Sequence, residues 1–240
     1  MDRQGTDIVA LANHETPPET LRHILLNQVL PLVLNLRGQD ALHATAVLTP
    51  HGVCAFTGPA GVGKSTLAAS FLIAGYPVIS DDCLVLKERE GWIVAVPGYP
   101  GLRLWDDVAQ SLSLDPKHLR SVAHYTAKHR LLLPDQRQAF PTEPLPLARL
   151  YLLSRSEGSK TCNEATAISL QPSPPRHAFM EILSSLFRLD IRNKAMLARQ
   201  FCFIERLVAQ APIKQLSIPQ TVSALPKVRE AILADLLHEA

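Results

Sequence analysis

Apolar residues fall along this chain in two textures. Short dense runs occupy residues 41–48, 53–57, 76–80, 83–88, 91–96, 150–153, 165–170 and 213–218, each bounded by polar or turn-forming residues. Runs of that length, rich in β-branched residues, predict strands. Elsewhere the apolar positions recur three and four apart, which predicts helices. One helix begins near Thr16-Pro-Pro-Glu19, with Thr16 as N-cap, Pro17 in the first turn and Glu19 completing a capping box. Pro31 should kink or end it. Another runs from Leu67 to Ala74 and closes at Gly75. A short one is expected over residues 106–114. Three more follow Pro174, with stripes at Phe179, Ile182, Leu183 and Leu186, then Leu197, Phe201, Ile204 and Val208, then Val228, Ile232, Leu233 and Leu236.

The connections between these elements add topology. Thr49-Pro-His-Gly52 joins the first two runs as a hairpin. Pairing Leu48 with Val53 then carries His43 opposite Gly58. Residues 76–80 read as a parallel strand returning beside the strand of residues 53–57. A second hairpin joins residues 83–88 to 91–96 across Arg89-Glu90. Residues 97–105 form a turn-rich loop with two Pro-Gly pairs, 134–146 a proline-rich covering loop, and 154–164 a polar loop. The expected fold is α/β: a mixed sheet around a glycine loop, with flanking helices. It reads as one domain over residues 1–240, with a helical lead-in at 1–39, a core at 40–105 and C-terminal helices at 174–240. Neither an internal repeat nor a low-complexity tract interrupts it.

Candidate chemistry centres on Gly58-Pro59-Ala60-Gly61-Val62-Gly63-Lys64-Ser65, followed by Thr66. The pattern G-x-x-x-x-G-K-S between a strand and a helix is the phosphate-binding loop of nucleotide-binding proteins. Its glycines let several backbone N–H groups converge on one anion, Lys64 meets the outer phosphates, and the Ser65 hydroxyl can ligate magnesium. Asp81 and Asp82 end the strand of residues 76–80, at the sheet edge that also carries Lys64. They can hold magnesium or accept a proton from an attacking hydroxyl. His43, by the hairpin register, joins them as ligand, sensor or orienting group. Arg103, Lys128 and Arg130 are candidate contacts to phosphate or substrate.

Composition narrows the classes. At 240 residues, 47% hydrophobic and a mean hydropathy of +0.08, the chain suits a globular protein with one large core or two small ones. A formal charge of +2, from 24 basic and 22 acidic residues, gives no general attraction to nucleic acid. Four cysteines without C-x-x-C spacing read as reduced structural thiols, and His118, His124 and His129 lack the partners of a zinc site. The first seven residues are polar, and the longest apolar run, 24–36, is broken by Asn27, Gln28, Pro31 and Asn35. No membrane span and a cytoplasmic location are therefore expected.

A histidine in Leu-His-Ala, the G-x-x-G-x-G-K-S loop and an Asp-Asp pair some sixteen residues past the lysine resemble the catalytic domain of HPr kinase/phosphorylase. Phosphoenolpyruvate carboxykinase uses a related nucleotide fold. The resemblance covers residues 40–105 with specific motifs. The short lead-in and Pro-Gly-Tyr-Pro-Gly-Leu-Arg-Leu-Trp look more like stand-alone HPr-kinase-like proteins, some of which accompany lasso-peptide biosynthesis and phosphorylate a precursor peptide on serine. The resemblance implies a kinase using ATP and Mg2+, with a serine hydroxyl of a peptide or protein as acceptor. Lys64 and the loop amides would hold the phosphates, and Ser65 and Asp82 the metal. One carboxylate of the pair would take the proton, with His43 orienting it. Thr66 stands where that family carries Glu, and the accessory N-terminal domain is missing, so reversal and HPr itself as acceptor are not expected. Two other functions fit the same residues: a nucleotide-gated regulatory protein with little turnover, and a small-molecule kinase. A homo-oligomer is compatible with all three.

Overall fold

The computed structural model describes residues 2, 4–99, 101–131, 140–156 and 168–237. Residues 134–139, most of the expected 154–164 loop and the start of the expected 165–170 strand lie outside them.

The lead-in is helical, but its start and middle differ from expectation. Helix α1 (Pro18–Ile24) takes Pro17 as its N-cap, without a side-chain cap, while Thr16 donates to Asn13 at 2.6 Å. Two consecutive prolines explain the shift. Each biases the residue before it toward extended backbone, so helical geometry begins only at the second. Pro31 does not end the helix. Leu25–Val29 widens into a π-turn, in which the Leu30 N–H reaches back to the Leu25 carbonyl, and α2 (Leu30–Leu36) continues with Pro31 in its first turn. Proline brings no N–H and crowds the carbonyl four residues back, and the wider turn relieves both.

Among the described residues, nine strands form one curled mixed sheet and three form a second. The centre of the large sheet is the predicted hairpin: β2 (Ala44–Thr49) and β3 (Gly52–Thr57) pair antiparallel, with Leu48 opposite Val53 and Ala44 opposite Thr57. After β3 come the glycine loop and α3 (Lys64–Ile73), which begins one turn earlier than its apolar run suggests. Its far end is a Schellman motif. Gly75 N–H bonds the Leu72 carbonyl and Tyr76 N–H the Phe71 carbonyl, with the Phe71 and Tyr76 rings 5.7 Å apart. Gly75 holds φ 89°, a left-handed value that glycine adopts freely.

Strand β4 (Val78–Ser80) lies beside β2 rather than beside β3. It runs parallel to β3, as expected, with the antiparallel β2 between them. The hairpin had already occupied that side of β3, and β10 (Leu145–Arg155) takes the other, parallel to it. β5 (Leu84–Arg89) and β6 (Trp92–Val96) turn at Glu90-Gly91, one residue later than expected. Both turn residues have positive φ, 54° and 80°, the combination that matches strand twist in a two-residue hairpin. β1 (Ala41–Leu42) pairs with β5, β10 starts against β6, and β12 (Ile213–Ile218) flanks β10 in parallel with β11 (Ser169–Pro172) outside it.

The expected loop at residues 97–105 ends in a strand, β7 (Leu102–Trp105), which pairs with β9 (Lys128–Leu131) and, through it, β8 (Leu119–Ser121). Short α4 (Asp106–Ser111) follows β7.

Side chains alternate between the two faces of the large sheet. Cys54 and Phe56 of β3 join Tyr151 and Leu153 of β10 in a core under α3 and α7 (Leu225–Leu237). Val53, Ala55, Leu150 and Leu152 enter a second core under α5 (Pro175–Ser185) and α6 (Lys194–Gln210). On α6 the buried stripe is Met196, Gln200, Ile204 and Leu207, and Phe201 is half exposed. The rotation follows from polar contacts. Gln200, fully buried, donates to Asp40 and to the Phe187 carbonyl, and Asn35 donates to Asp40 in the same group. Arg199 completes it with two contacts to Asp40. Cys54 is buried, its thiol pushed up to about 12 by desolvation, whereas Cys202 is exposed. No helix among the described residues is long and apolar enough to cross a membrane.

Candidate active site

Strands β3, β10 and β12 run parallel, and β4 runs with them, so their carboxyl ends open at one edge of the sheet. A cleft of about 490 Å³ lies there. The glycine loop makes one wall. Gly58, at φ 145°, passes so close to β10 that a Cβ would sit 2.6 Å from the Leu153 carbonyl oxygen. Gly63, at φ 115°, is the N-cap of α3, so the unbonded N–H groups of the first helical turn face the cleft beside Lys64, Ser65 and Thr66. Lys64 is almost wholly buried and curls back on its own loop, donating to the Gly58 carbonyl at 2.9 Å and the Pro59 carbonyl at 3.2 Å. Burial holds its pKa below the ordinary lysine value.

The two aspartates do different things. Asp81 is 1% exposed and saturated by donors. Its Oδ1 accepts from the Thr45 hydroxyl at 2.9 Å and the Ser65 hydroxyl at 3.0 Å, and its Oδ2 from the Arg103 backbone N–H at 2.9 Å. Asp82 adopts a left-handed backbone, φ 65°, which turns its carboxylate into the cleft. There it pairs with Arg103 Nη2 and lies 3.9 Å from His43 Nδ1. The Arg103 side chain is buried between the two carboxylates, its Nε 3.6 Å from Asp81.

His43 sits between β1 and β2. Its backbone N–H is tied to the Ser185 carbonyl at 2.7 Å, and its ring meets Phe187 edge-on. Burial, and secondarily the Lys64 cation, hold the imidazole down to about 4, so it is neutral near pH 7. Lys128 lines the cleft from β9 and lies 4.9 Å over the half-exposed Trp105 ring. Burial and Arg103 lower its pKa. Arg130, two residues farther along β9, is not in the cleft wall. It is buried against the Tyr99 ring at 5.5 Å. Gly58 and Pro59 serve as the anchor of the Lys64 amine rather than as cleft lining.

The sequence reading missed part of this wall. Arg155, at the end of β10, donates to the Gly61 carbonyl and lines the cleft. Asp107, Gln220 and Thr221 line it as well. The signal for Arg155 and the residues after β12 was strand order. Had both strands been placed parallel to β3, the residues following them would have fallen at the same mouth.

No protein-family model and no curated protein sequence matches the chain. Among solved structures, it is similar to the HPr(Ser) kinase/phosphatase from Coxiella burnetii, at 12% identity and a TM-score of 0.43, over 83% of this chain and 99% of that one.

Proposed function

We propose that the cleft binds ATP with magnesium and transfers the γ-phosphoryl group to a serine hydroxyl of a peptide or protein. The observation that carries this reading is the 3.0 Å hydrogen bond from Ser65 to Asp81, which couples the glycine loop to the acidic pair. With its proton committed to Asp81, Ser65 Oγ keeps lone pairs for a hard cation, and oxygen donors are what magnesium prefers. Bound there, magnesium would neutralise charge on the phosphate oxygens. The geometry favours Ser65 backed by Asp81 for that role, rather than the Asp82 expected from sequence. Asp82 is left to act on the acceptor. As the serine oxygen bonds to the γ-phosphorus and the bond to the bridging oxygen breaks, releasing ADP, the serine proton passes to the Asp82 carboxylate. Lys64 and the first-turn amides hold the phosphates, and Arg155, bonded to the Gly61 carbonyl, lines the same cleft.

One observation favours a second reading, a nucleotide-gated protein with slow turnover: Arg103 occupies Asp82, the carboxylate that the acceptor proton would need. Incubation with ATP–Mg and a panel of serine peptides, folded HPr and common sugars, read by mass spectrometry, separates the readings. A phosphorylated peptide is the expected product. Nucleotide binding without any phosphorylated acceptor would favour gating. Calorimetry on Lys64→Ala should show a marked loss of ATP–Mg affinity, and unchanged affinity in a folded variant removes both readings.

A further inference from the structure

The lead-in helix, which carried no chemistry in the sequence, reaches the cleft from behind. Pro31 forces the π-turn at Leu25–Val29, and such turns are frequent at functional sites. His23, on the last turn of α1, and Asn27, inside the π-turn, then face the small sheet together. His23 Nδ1 lies 3.4 Å from Arg103 Nη1 and 3.1 Å from Asn27 Oδ1. The Asn27 amide in turn donates to the Tyr99 hydroxyl at 3.4 Å. Arg103 is the side chain that grips Asp82 and approaches Asp81.

One ring nitrogen cannot serve both neighbours in the same way. Arginine only donates, so it needs the Nδ1 lone pair. The Asn27 oxygen only accepts, so it needs an Nδ1–H. We propose that His23 is a positioning residue for Arg103: with Nδ1 unprotonated it accepts the Nη1–H and aims the guanidinium at Asp82, and with Nδ1 protonated it turns to Asn27 and releases Arg103. The consequence for catalysis rests on the kinase reading above, whereas the contact itself does not.

The surroundings hold His23 in the accepting state. The charged and titratable groups facing it are Arg103 from β7, Lys128 and Arg130 from β9, Tyr99, and Tyr125 and His124 from the turn between β8 and β9. All the charges among them are cationic. Burial and Arg103 lower the His23 pKa, which agrees with the geometry. The α1 helix is itself pinned at that turn, since the His124 backbone N–H donates to the buried Thr20 hydroxyl at 3.2 Å.

Two measurements on the full chain test the contact without any turnover. A double-mutant cycle of His23→Phe and Arg103→Gln, read by urea unfolding, should show coupling of about three- to tenfold in the unfolding equilibrium constant. The His23 titration, followed by NMR, should move up by about half a pH unit or more in Arg103→Gln, because a repelling cation and a bound donor are both gone. The third measurement is ATP–Mg turnover against pH. His23→Phe should raise kcat about tenfold with little change in KM, because Asp82 loses the cation that occupies it, and His23→Gln, which keeps an acceptor but does not titrate, should return kcat to the wild-type value and remove the pH dependence assigned to His23. Absent coupling together with an unmoved His23 titration overturns the proposal. A pH profile that is the same in His23→Gln as in the wild type overturns its catalytic part. A wild-type protein without turnover would instead sink the kinase reading and leave the first two measurements to decide the contact.

Discussion

At the scale of single residues, two adjacent aspartates have separate fates. Both stand at the sheet edge that carries Lys64, but the buried Asp81 carboxylate collects three donors from β2, α3 and β7. Asp81→Asn would face the fixed Arg103 N–H and two hydroxyls with half its acceptor capacity. We expect a stability loss of about 1–3 kcal/mol in chemical denaturation. Asp82→Asn should leave stability nearly unchanged and slow phosphoryl transfer by about 10²–10⁴-fold. Equal effects of the two variants on stability would contradict the division of labour. His43 makes a different prediction. Its pKa is about 4 in the folded protein against an ordinary histidine value of 6.5. Between those values the unfolded chain binds a proton that the folded chain does not, so stability falls as pH drops from about 6.5 toward about 4 and is complete above that window. His43→Gln should flatten that part of the stability–pH curve, and an unchanged slope in denaturation at pH 7 and pH 4.5 would show that His43 carries none of it.

At the scale of elements, what was legible is what neighbouring residues decide among themselves. The β2–β3 register followed from a turn of Thr49-Pro-His-Gly52 between two apolar runs, and His43, just before β2, lines the same cleft as the glycine loop. The strand, loop and helix around Lys64, and the bounds of β12, were legible for the same reason. What was not legible depends on partners distant in sequence. The direction of β4 was readable from a short crossover, but its neighbour was not, since β2 and β10 had taken both edges of β3. β7 was hidden by the Pro-Gly pairs before it, although Leu102 and Leu104 alternate with Arg103 in the apolar–polar order of a strand. The face of α6 was misread because apolar counting cannot see that Gln200 and Asn35 are buried to satisfy Asp40. Arg155 escaped for the reason that β4 did, an unassigned strand order.

At the scale of the molecule, the question is whether the lead-in, the sheet around the glycine loop and the C-terminal helices unfold together. The two cores lie back to back on the same strands: β3 sends Cys54 and Phe56 to one and Val53 and Ala55 to the other. Losing either face therefore removes the backing of the other. Polar ties close the ends. Asp40 joins the lead-in to α6 through Arg199 and Gln200, and Asp235 joins α7 to the sheet through Tyr151 at 2.9 Å and Lys214 at 2.7 Å. We expect one cooperative transition. The chain has two tryptophans, so Trp92→Phe leaves Trp105 at the cleft as the only indole emitter. In that variant, Trp105 emission and far-UV circular dichroism should give the same urea midpoint. ATP–Mg at a hundred times its dissociation constant should then raise both midpoints together, because ligand binding to the folded state alone adds about 2.7 kcal/mol to the whole transition. If the emission midpoint moves with nucleotide while the dichroism midpoint stays, the cleft unfolds by itself. The cores on the two faces of the sheet would then be separable, contrary to the shared strands that join them.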